Sequence, residues 1–301
     1  MNTATTPANT TPPSTAPPNT TSLPTTAPAA PPHTVDPAAA VAAARAHSTP
    51  AEIVGQTLVM AWRALKKMRR TPEQFFDVTI QPLLFTAMFA YIFGGAISGG
   101  VSAYLPVLIP GIVAQTVLTT CMATGVQLRE DMEKGVFDRF KSLPMARIAP
   151  LAGPMVADLV RYLIAAGLTF VAGLAIGYRP GGGVLGVLGA ILLAIVTGWS
   201  LAWIFTWFGT ITKSAKSVQG ISMLILFPLT FLSNAFVPVQ TLPHWLADFV
   251  KVNPVSHLVS ATRALANHGV VSGEVGWTLL PCLAVIAVFA PLSTRSYRRH
   301  M

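Results

Sequence analysis

Charged residues are scarce in this sequence. Only 10% of the 301 residues are charged, while 52% are hydrophobic; soluble globular domains carry about 25% charged residues. So few charges cannot cover a water-exposed surface, so much of the surface must face something other than water. The net charge is +9, but the basic residues cluster between apolar runs instead of forming a stripe on a polar fold. The composition predicts a membrane protein and excludes a nucleic-acid-binding domain.

The sequence also lacks the motifs of an energy source or a catalytic centre. No G-x-x-x-x-G-K-[ST] phosphate loop occurs, because the nearest stretch, Gly209–Ser214, lacks the second glycine. There is no G-x-S-x-G nucleophile elbow. Cys121 and Cys282 both lie inside apolar runs, and the six histidines have no metal-ligand spacing. We therefore expect a chain that binds no nucleotide, cofactor or metal and is not an enzyme.

One catalytic alternative remains open. His244 and Asp248 are four residues apart, on one face of a predicted helix, where a lipid-modifying enzyme would use them as an acyl-transfer base pair. No nucleophile or glycine-rich oxyanion element accompanies them, so the sequence favours a non-catalytic role.

Residues 1–50 form a tail of Thr, Pro, Ala, Asn and Ser. The tail cannot bury enough apolar surface to offset its conformational entropy, which predicts disorder. A signal peptide would need a basic start and an apolar middle, and the first charged residue is Asp36. An O-glycosylated stalk is the alternative, but the orientation derived below favours a cytoplasmic tail.

Six apolar windows in residues 77–301 are long enough to cross a bilayer, which takes about 20 residues. The backbone has no water partner in hydrocarbon, so these windows must be helices, and Pro82, Pro110, Pro228 and Pro281 are expected kinks. The fold class is therefore an all-α membrane protein with six transmembrane helices. The predicted spans are Val78–Ile97, Leu105–Gln127, Tyr162–Tyr178 with a start extending back towards Leu151, Val184–Gly209, Val218–Val239 and Val275–Ser293.

Basic residues beside the spans predict their orientation. Fourteen lie before the first span, after the second, after the fourth and after the sixth, whereas only Arg179, Lys251 and Arg263 lie on the other side. Because cytoplasmic loops are enriched in Lys and Arg, this asymmetry places both termini in the cytoplasm.

The pattern of residues 51–76 predicts an amphipathic helix before the first span. Apolar residues recur at helical spacing with basic residues between them, which is typical of a helix at the headgroup boundary. A plain orientation anchor is the alternative. The residues of this interfacial helix are Leu58, Trp62, Leu65 and Lys66.

The loop at 128–150 mixes paired charges with aromatic residues. Val136, Phe137, Phe140 and Leu143 give a short apolar face at helical spacing, which Pro144 ends. Exposed aromatic side chains ringed by charges are typical of docking patches. We therefore favour a binding surface for a cytosolic protein over a solvated connector.

Two further features are predicted. Residues 240–274 read as a short extracytoplasmic re-entrant or interfacial helical segment, with a surface loop as the alternative. Within the third span, Asp158 and Arg161 are spaced to pair on one face. Intramembrane charges are candidates for substrate binding or a proton relay, but their position near the cytoplasmic end favours a structural pair.

Three segments carry a resemblance to a known family: Glu133–Pro144, Phe231–Pro238 and Leu242–Leu246, the last followed by Asn253-Pro254 and Arg263. Together with the basic entry helix and the six spans, they resemble the membrane subunit of type-2 ABC exporters, and especially the daunorubicin-resistance type of drug-efflux permease. The resemblance covers about Glu52 to Arg299 and leaves out the tail.

The resemblance implies a drug or antibiotic exporter in the cell membrane whose fuel is ATP bound with Mg²⁺ by a separate cytosolic ATPase. Two ATPase copies would serve two permeases, here a homodimer in the lipid bilayer. The loop would be the coupling helix seated in the ATPase, through Glu133, Lys134, Gly135, Phe137, Arg139, Phe140, Leu143 and Pro144.

An amphiphilic cargo would need apolar walls with few polar groups. Candidate walls lie on the second and fifth spans, and a permease for a lipid-linked glycan remains an alternative cargo class. The candidate path residues are Thr116, Thr119, Thr120, Met122, Phe227, Phe231 and Asn234.

Overall fold

The computed structural model describes residues 49–141, 145–146, 148–236 and 244–300. All regular secondary structure in these ranges is helical, as predicted; the tail, Leu143 and Pro144 lie outside them. The helices are α1 (Pro50–Arg70), α2 (Pro72–Ser98), α3 (Val101–Glu133), α4 (Val136–Lys141), α5 (Ala149–Ile176), α6 (Gly183–Ile211), α7 (Ala215–Phe231), α8 (His244–Val252), α9 (Pro254–His268) and α10 (Gly273–His300).

The amphipathic segment and the first span are two separate helices. The Thr49 hydroxyl and the Glu52 carboxylate accept hydrogen bonds from each other's backbone N–H and so cap the start of α1. α1 ends at Arg70, earlier than the predicted 76, because Thr71 is extended. Pro72 follows it, and a proline disfavours helical geometry in the residue before it.

α3 is the centre of the bundle. It packs against α2, α5, α6, α7 and α9. In the most apolar 18-residue stretch of α3, 67% of the residues are buried, compared with 22% in that of α2 and 11% in that of α10. The core therefore surrounds α3, while α2 and α10 turn most of their apolar side chains outward.

Within the described ranges, five helices are long and apolar enough to cross a membrane: α2, α3, α5, α6 and α10. The fifth predicted span, Val218–Val239, overlaps α7, which starts earlier, at Ala215, and has 17 residues. At 1.5 Å per residue it is about 25 Å long, less than the hydrocarbon thickness of about 30 Å. Five of the six predicted spans thus overlap a helix that is long and apolar enough to cross a membrane, and the six-span count stays a prediction.

The bundle has two distinct ends. At one, which we call the α1/α4 face, α1 and α4 meet the ends of α3 and α10. At the other, the α8/α9 face, α9 packs against α3, α6 and α10. Gly186 of α6 allows a close approach there, because a Cβ atom at this position would lie 2.2 Å from the Leu265 carbonyl oxygen of α9.

Candidate functional site

The short helix α4 is fixed to the bundle by aromatic contacts. Gly135, with φ of +64°, lets the chain turn from α3 into α4. The Phe137 ring meets Tyr297 of α10 edge-on at 5.3 Å and Phe140 at 5.9 Å. The guanidinium carbon of Arg63, on α1, lies 5.0 Å from the centre of the Phe140 ring.

These contacts differ from the expectation of an exposed aromatic patch. Phe137 is only 9% exposed and Phe140 is half-buried. The physical reason is that Tyr297, far along the chain, covers one ring and Arg63 covers the other.

Charged groups occupy the solvent side of the same region. Glu133, Lys134 and Arg139 are exposed. The Lys134 ammonium donates a hydrogen bond to the Glu130 carboxylate at 3.1 Å, and this contact raises the pKa of Lys134. The outward surface of the predicted coupling segment is therefore charged.

The end of α3 is tied to its neighbours by polar contacts. The Glu133 carboxylate accepts a hydrogen bond of 2.8 Å from the backbone N–H of Ala215, the first residue of α7, where a helix favours negative charge. Arg129 donates to the Lys213 carbonyl at 2.9 Å. Lys67 of α1 pairs with Asp131 at 2.8 Å.

The interfacial helix α1 has two different sides. Ala61 and Met68 are buried, and α1 packs on α5. On the other side Leu58 and Trp62 are exposed, Trp62 by 69%. Lys66 is exposed as well, and Leu65 is half-buried. An exposed apolar stripe with a basic neighbour suits a headgroup boundary.

Asp158 and Arg161 form a buried ion pair of 3.0 Å, as their spacing predicts. Thr124 of α3 donates to the other carboxylate oxygen at 2.6 Å, and Arg161 also donates to Gln127 of α3 at 3.2 Å. The pair therefore joins α5 to α3 and has hydrogen-bond partners on both sides.

The candidate path residues lie on α3, on α7 and just after α7. Thr116, Thr119 and Thr120 donate their hydroxyls to carbonyls of their own helix. Thr116 and Thr119 also line a small cleft against α2, together with Gln81 and Gln115. Met122 is half-buried on the same helix.

On α7, the rings of Phe227 and Phe231 are exposed and stack at 4.4 Å. Asn234 is buried and donates to the Ser260 hydroxyl at 2.8 Å. The two phenylalanines thus form a stacked, exposed pair on α7, and Asn234 is fixed to α9.

A row of phenylalanine rings, which the sequence analysis missed, runs from α7 to α2. Phe231 lies 5.6 Å from Phe236, and Phe236 stacks on Phe89 at 4.7 Å. Phe89 in turn stacks on Phe85 and Phe93. The spacing of the three α2 residues, four apart, was the available signal, because such residues share one face of a helix.

Side chains of α9 bind backbone carbonyls at the α8/α9 face, another feature that the sequence analysis missed. Arg263 donates to the carbonyls of Val107 at 3.1 Å and Asn234 at 3.0 Å. Asn267 donates to the Pro106 carbonyl at 2.8 Å. That carbonyl has no intrahelical partner because Pro110 carries no N–H. We call Arg263 and Asn267 the α9 clamp.

His244 and Asp248 do not form a pair. Asp248 is exposed, and its carboxylate binds Lys251 at 2.9 Å. The segment 237–243 before them, with Leu242, lies outside the described ranges, as do the side chains of Trp245 and Leu246. No group of three or more potential metal ligands occurs among the residues that the structure covers.

Comparisons with known proteins agree with the resemblance. Residues 55–266 match the family described as ABC-2 type transporter. The chain is 40% identical over 248 residues to the daunorubicin resistance ABC transporter permease protein DrrB1 of Streptomyces coeruleorubidus, covering 82% of this chain and 88% of that protein.

Two more distant relatives are similar over most of their length. The probable doxorubicin resistance ABC transporter permease protein DrrC of Mycobacterium tuberculosis is 27% identical over 251 residues, or 82% of this chain and 89% of that one. The putative transport permease ycf38 of Pyropia yezoensis is 25% identical over 243 residues, with 78% and 80% covered. All three names describe permeases, which are transport components and not catalysts. The chain therefore belongs to the ABC-2 type transporter family and is a multi-pass membrane permease.

Proposed function

We propose that this permease exports a hydrophobic or amphiphilic compound, such as a drug or antibiotic, from the cell. The 40% identity to a daunorubicin resistance permease, over most of both chains, carries the proposal. Family membership implies an ABC ATPase partner. In our proposal two copies of that cytosolic subunit bind ATP and Mg²⁺ and drive a homodimer of this chain, which itself binds neither.

The proposed topology puts the α1/α4 face and both termini in the cytoplasm of a cell-membrane protein. Fourteen of the basic residues that flank the spans belong to this side. In this arrangement α7 makes the fifth of the six crossings, and α10 makes the last. The exposed stripe of α1 lies in the cytoplasmic headgroup region, and α8 and α9 form a re-entrant cap on the outside.

In the proposed coupling mechanism the ATPase contacts the charged outer surface of α4, and the aromatic inner surface passes the movement on. Phe137 joins α4 to α10, and Phe140 joins it to α1. Glu133 joins the end of α3 to the start of α7. A displacement of α4 would therefore move α10, α1 and α7 together, which is the change needed to alternate between inward- and outward-facing states.

For the cargo, we propose a path between the row of phenylalanine rings and the cleft at Thr116 and Thr119. Aromatic rings and an uncharged polar wall suit a planar amphiphile. The side-chain oxygen of Gln115 is buried and accepts no hydrogen bond within the described part of the chain. It is thus available to a hydroxyl or amine of the cargo. The cleft holds only about 10 Å³ in this conformation, so it must widen to admit cargo.

The test is transport by proteoliposomes that contain the chain and its ATPase, with daunorubicin as the fluorescent probe. We expect ATP-dependent movement of the probe with both subunits and none with either alone. Uphill movement by the chain alone, or none with the pair, would contradict the proposal.

A charge reversal tests the docking surface. Arg139→Glu should abolish co-purification of the ATPase. The matched control is Lys251→Glu, which is also exposed but lies on α8 at the opposite end, and it should bind the ATPase normally. Equal binding by both variants would exclude α4 as the docking surface.

A further inference from the structure

A cavity of about 120 Å³ lies between α6, α7, α9 and α10. It is separate from the proposed cargo path. Ile225, Leu226 and Leu229 point into it from α7, whereas Phe227 and Phe231 lie about 150° around the helix at 100° per residue. The other walls are Thr197, Leu201, Ile204 and Phe205 of α6, Pro254, Val255 and Leu258 of α9, and Thr278, Pro281, Cys282 and Val285 of α10.

The walls offer no charged group and almost no hydrogen-bonding capacity. The Thr197 hydroxyl donates to the Leu193 carbonyl at 2.9 Å, and the Thr278 hydroxyl donates to the Glu274 carbonyl at 2.8 Å. The Cys282 carbonyl accepts a hydrogen bond from Ser200 at 2.8 Å. A polar ligand group would lose its hydration here without a new partner, so the walls suit a hydrocarbon group.

The cavity opens towards the outside of the bundle. α7 packs mainly on α3, while α10 packs mainly on α6 and α9, so a crevice remains between α7 and α10. Ile225 and Pro254 at its rim are exposed. Beside the crevice, Leu224 of α7 and Leu283 of α10 are 76% and 71% exposed. In a membrane permease such apolar surface faces lipid tails.

We propose that this cavity is a lipid site that holds a segment of one phospholipid acyl chain. The size is suitable, because an apolar cavity of about 150 Å³ accepts a hydrocarbon as large as benzene. Abundance also favours the acyl chain, because lipid tails are the solvent at the mouth and fill even a weak site by mass action. An amphiphilic cargo, by contrast, would leave its polar groups without partners.

A lipid in this cavity supports the position of α7. The end of α7 is already held by Asn253, the residue that caps the start of α9, whose side chain donates to the carbonyls of Leu229 and Leu232 at 2.8 and 2.9 Å. α7 otherwise makes few contacts with α6. The acyl chain would fill the space on that side, and its loss would leave α7 without packing there.

Photo-crosslinking tests the site directly. The full chain is reconstituted in nanodiscs with phosphatidylcholine that carries a diazirine on one acyl chain, and the crosslinked peptides are identified by mass spectrometry. We expect peptides of α7 and α10 that contain cavity residues to dominate. Val285→Phe, which fills the cavity, should lower these crosslinks at least five-fold. If Val285→Phe does not fold, Ile225→Phe at the exposed rim takes its place, and it should lower the crosslinks as well.

Leu283→Phe is the matched control, because it adds a ring of the same size to α10 on the exposed side, and it should leave the crosslinks unchanged. Three outcomes would overturn the proposal. These are crosslinks spread evenly over all exposed helices, an unchanged yield in both filling variants, and displacement of the lipid probe by daunorubicin, which would make the cavity a cargo site.

Discussion

Two sets of contacts at opposite ends of the bundle differ in kind. At the α1/α4 face, α1 and α4 are joined to α3, to α10 and to each other through pairs of side chains: Phe137 contacts Tyr297, Arg63 lies over Phe140, and Lys67 pairs with Asp131. At the α8/α9 face, the α9 clamp binds backbone carbonyls of α3, those of Val107 and Pro106. A contact between two side chains can break and re-form elsewhere. A bond to a carbonyl that a proline has left unpaired has no substitute in hydrocarbon.

We therefore expect the α1/α4 face to rearrange during transport while the α9 clamp holds α3 in place. Substitutions at the two ends should show this difference in stability and in coupling. The following predictions run from the largest expected effect to the smallest.

The largest effect should come from the buried ion pair near the α1/α4 face. Asp158→Ala leaves Arg161 buried without its carboxylate partner, which should cost about 3–5 kcal/mol. Thermal unfolding of detergent-purified protein measures this change. The double variant Asp158→Leu/Arg161→Met should regain most of the stability, because no unpaired charge remains. If Asp158→Ala were as stable as the parent protein, Arg161 would have another anion in reach.

A smaller loss should follow removal of the α9 clamp. Arg263→Ala removes two hydrogen bonds that a charged donor makes to the carbonyls of Val107 and Asn234, which should cost about 2–3 kcal/mol. The control is Arg179→Ala, since Arg179 is exposed; its unfolding temperature should stay the same. Equal unfolding temperatures for the two variants would contradict the rigid role of the α8/α9 face.

An aromatic substitution separates packing from coupling at the α1/α4 face. Phe137→Leu keeps most of the buried volume, so it should cost less than about 1.5 kcal/mol. It removes the edge-on contact with Tyr297, and with it the proposed link from α4 to α10. We expect the ATPase still to co-purify but transport to fall at least ten-fold. Normal transport would place the link elsewhere.

The smallest effect should come from an exposed pair on the same face. Lys134→Met removes the contact with Glu130, an i,i+4 pair, and should change stability by less than about 0.5 kcal/mol. The pKa of Lys134 is raised in the folded protein. The pair therefore stabilises the folded state at pH values below the ordinary lysine pKa, and this stabilisation is lost as the pH rises through the raised pKa. Unfolding curves at neutral and alkaline pH check both points.

Much of the helical architecture was predictable, because the hydrocarbon solvent allows few alternatives. Five predicted spans appear as helices of sufficient length, and the predicted kink prolines, such as Pro82 and Pro228, lie inside helices. The pairing of Asp158 with Arg161 followed from a spacing of three residues. These predictions needed only local periodicity and charge.

Several parts that failed or were missed depend on distant neighbours. Phe137 was expected on the surface, and nothing near it in the sequence indicates that Tyr297 covers it. The α9 clamp joins positions more than 150 residues apart. In an all-apolar helix, periodicity does not separate the side that faces lipid from the side that faces protein. For the same reason the cavity beside Cys282 could not be foreseen.

By itself, the sequence determined that the chain is helical, where its long apolar helices lie and which family it belongs to, because hydropathy, charge and motif are local properties. The tertiary structure decided which side chains point inward, which carbonyls the α9 clamp binds and where a cavity remains. These depend on how helices pack against each other, and that packing brings together residues that are far apart in the chain.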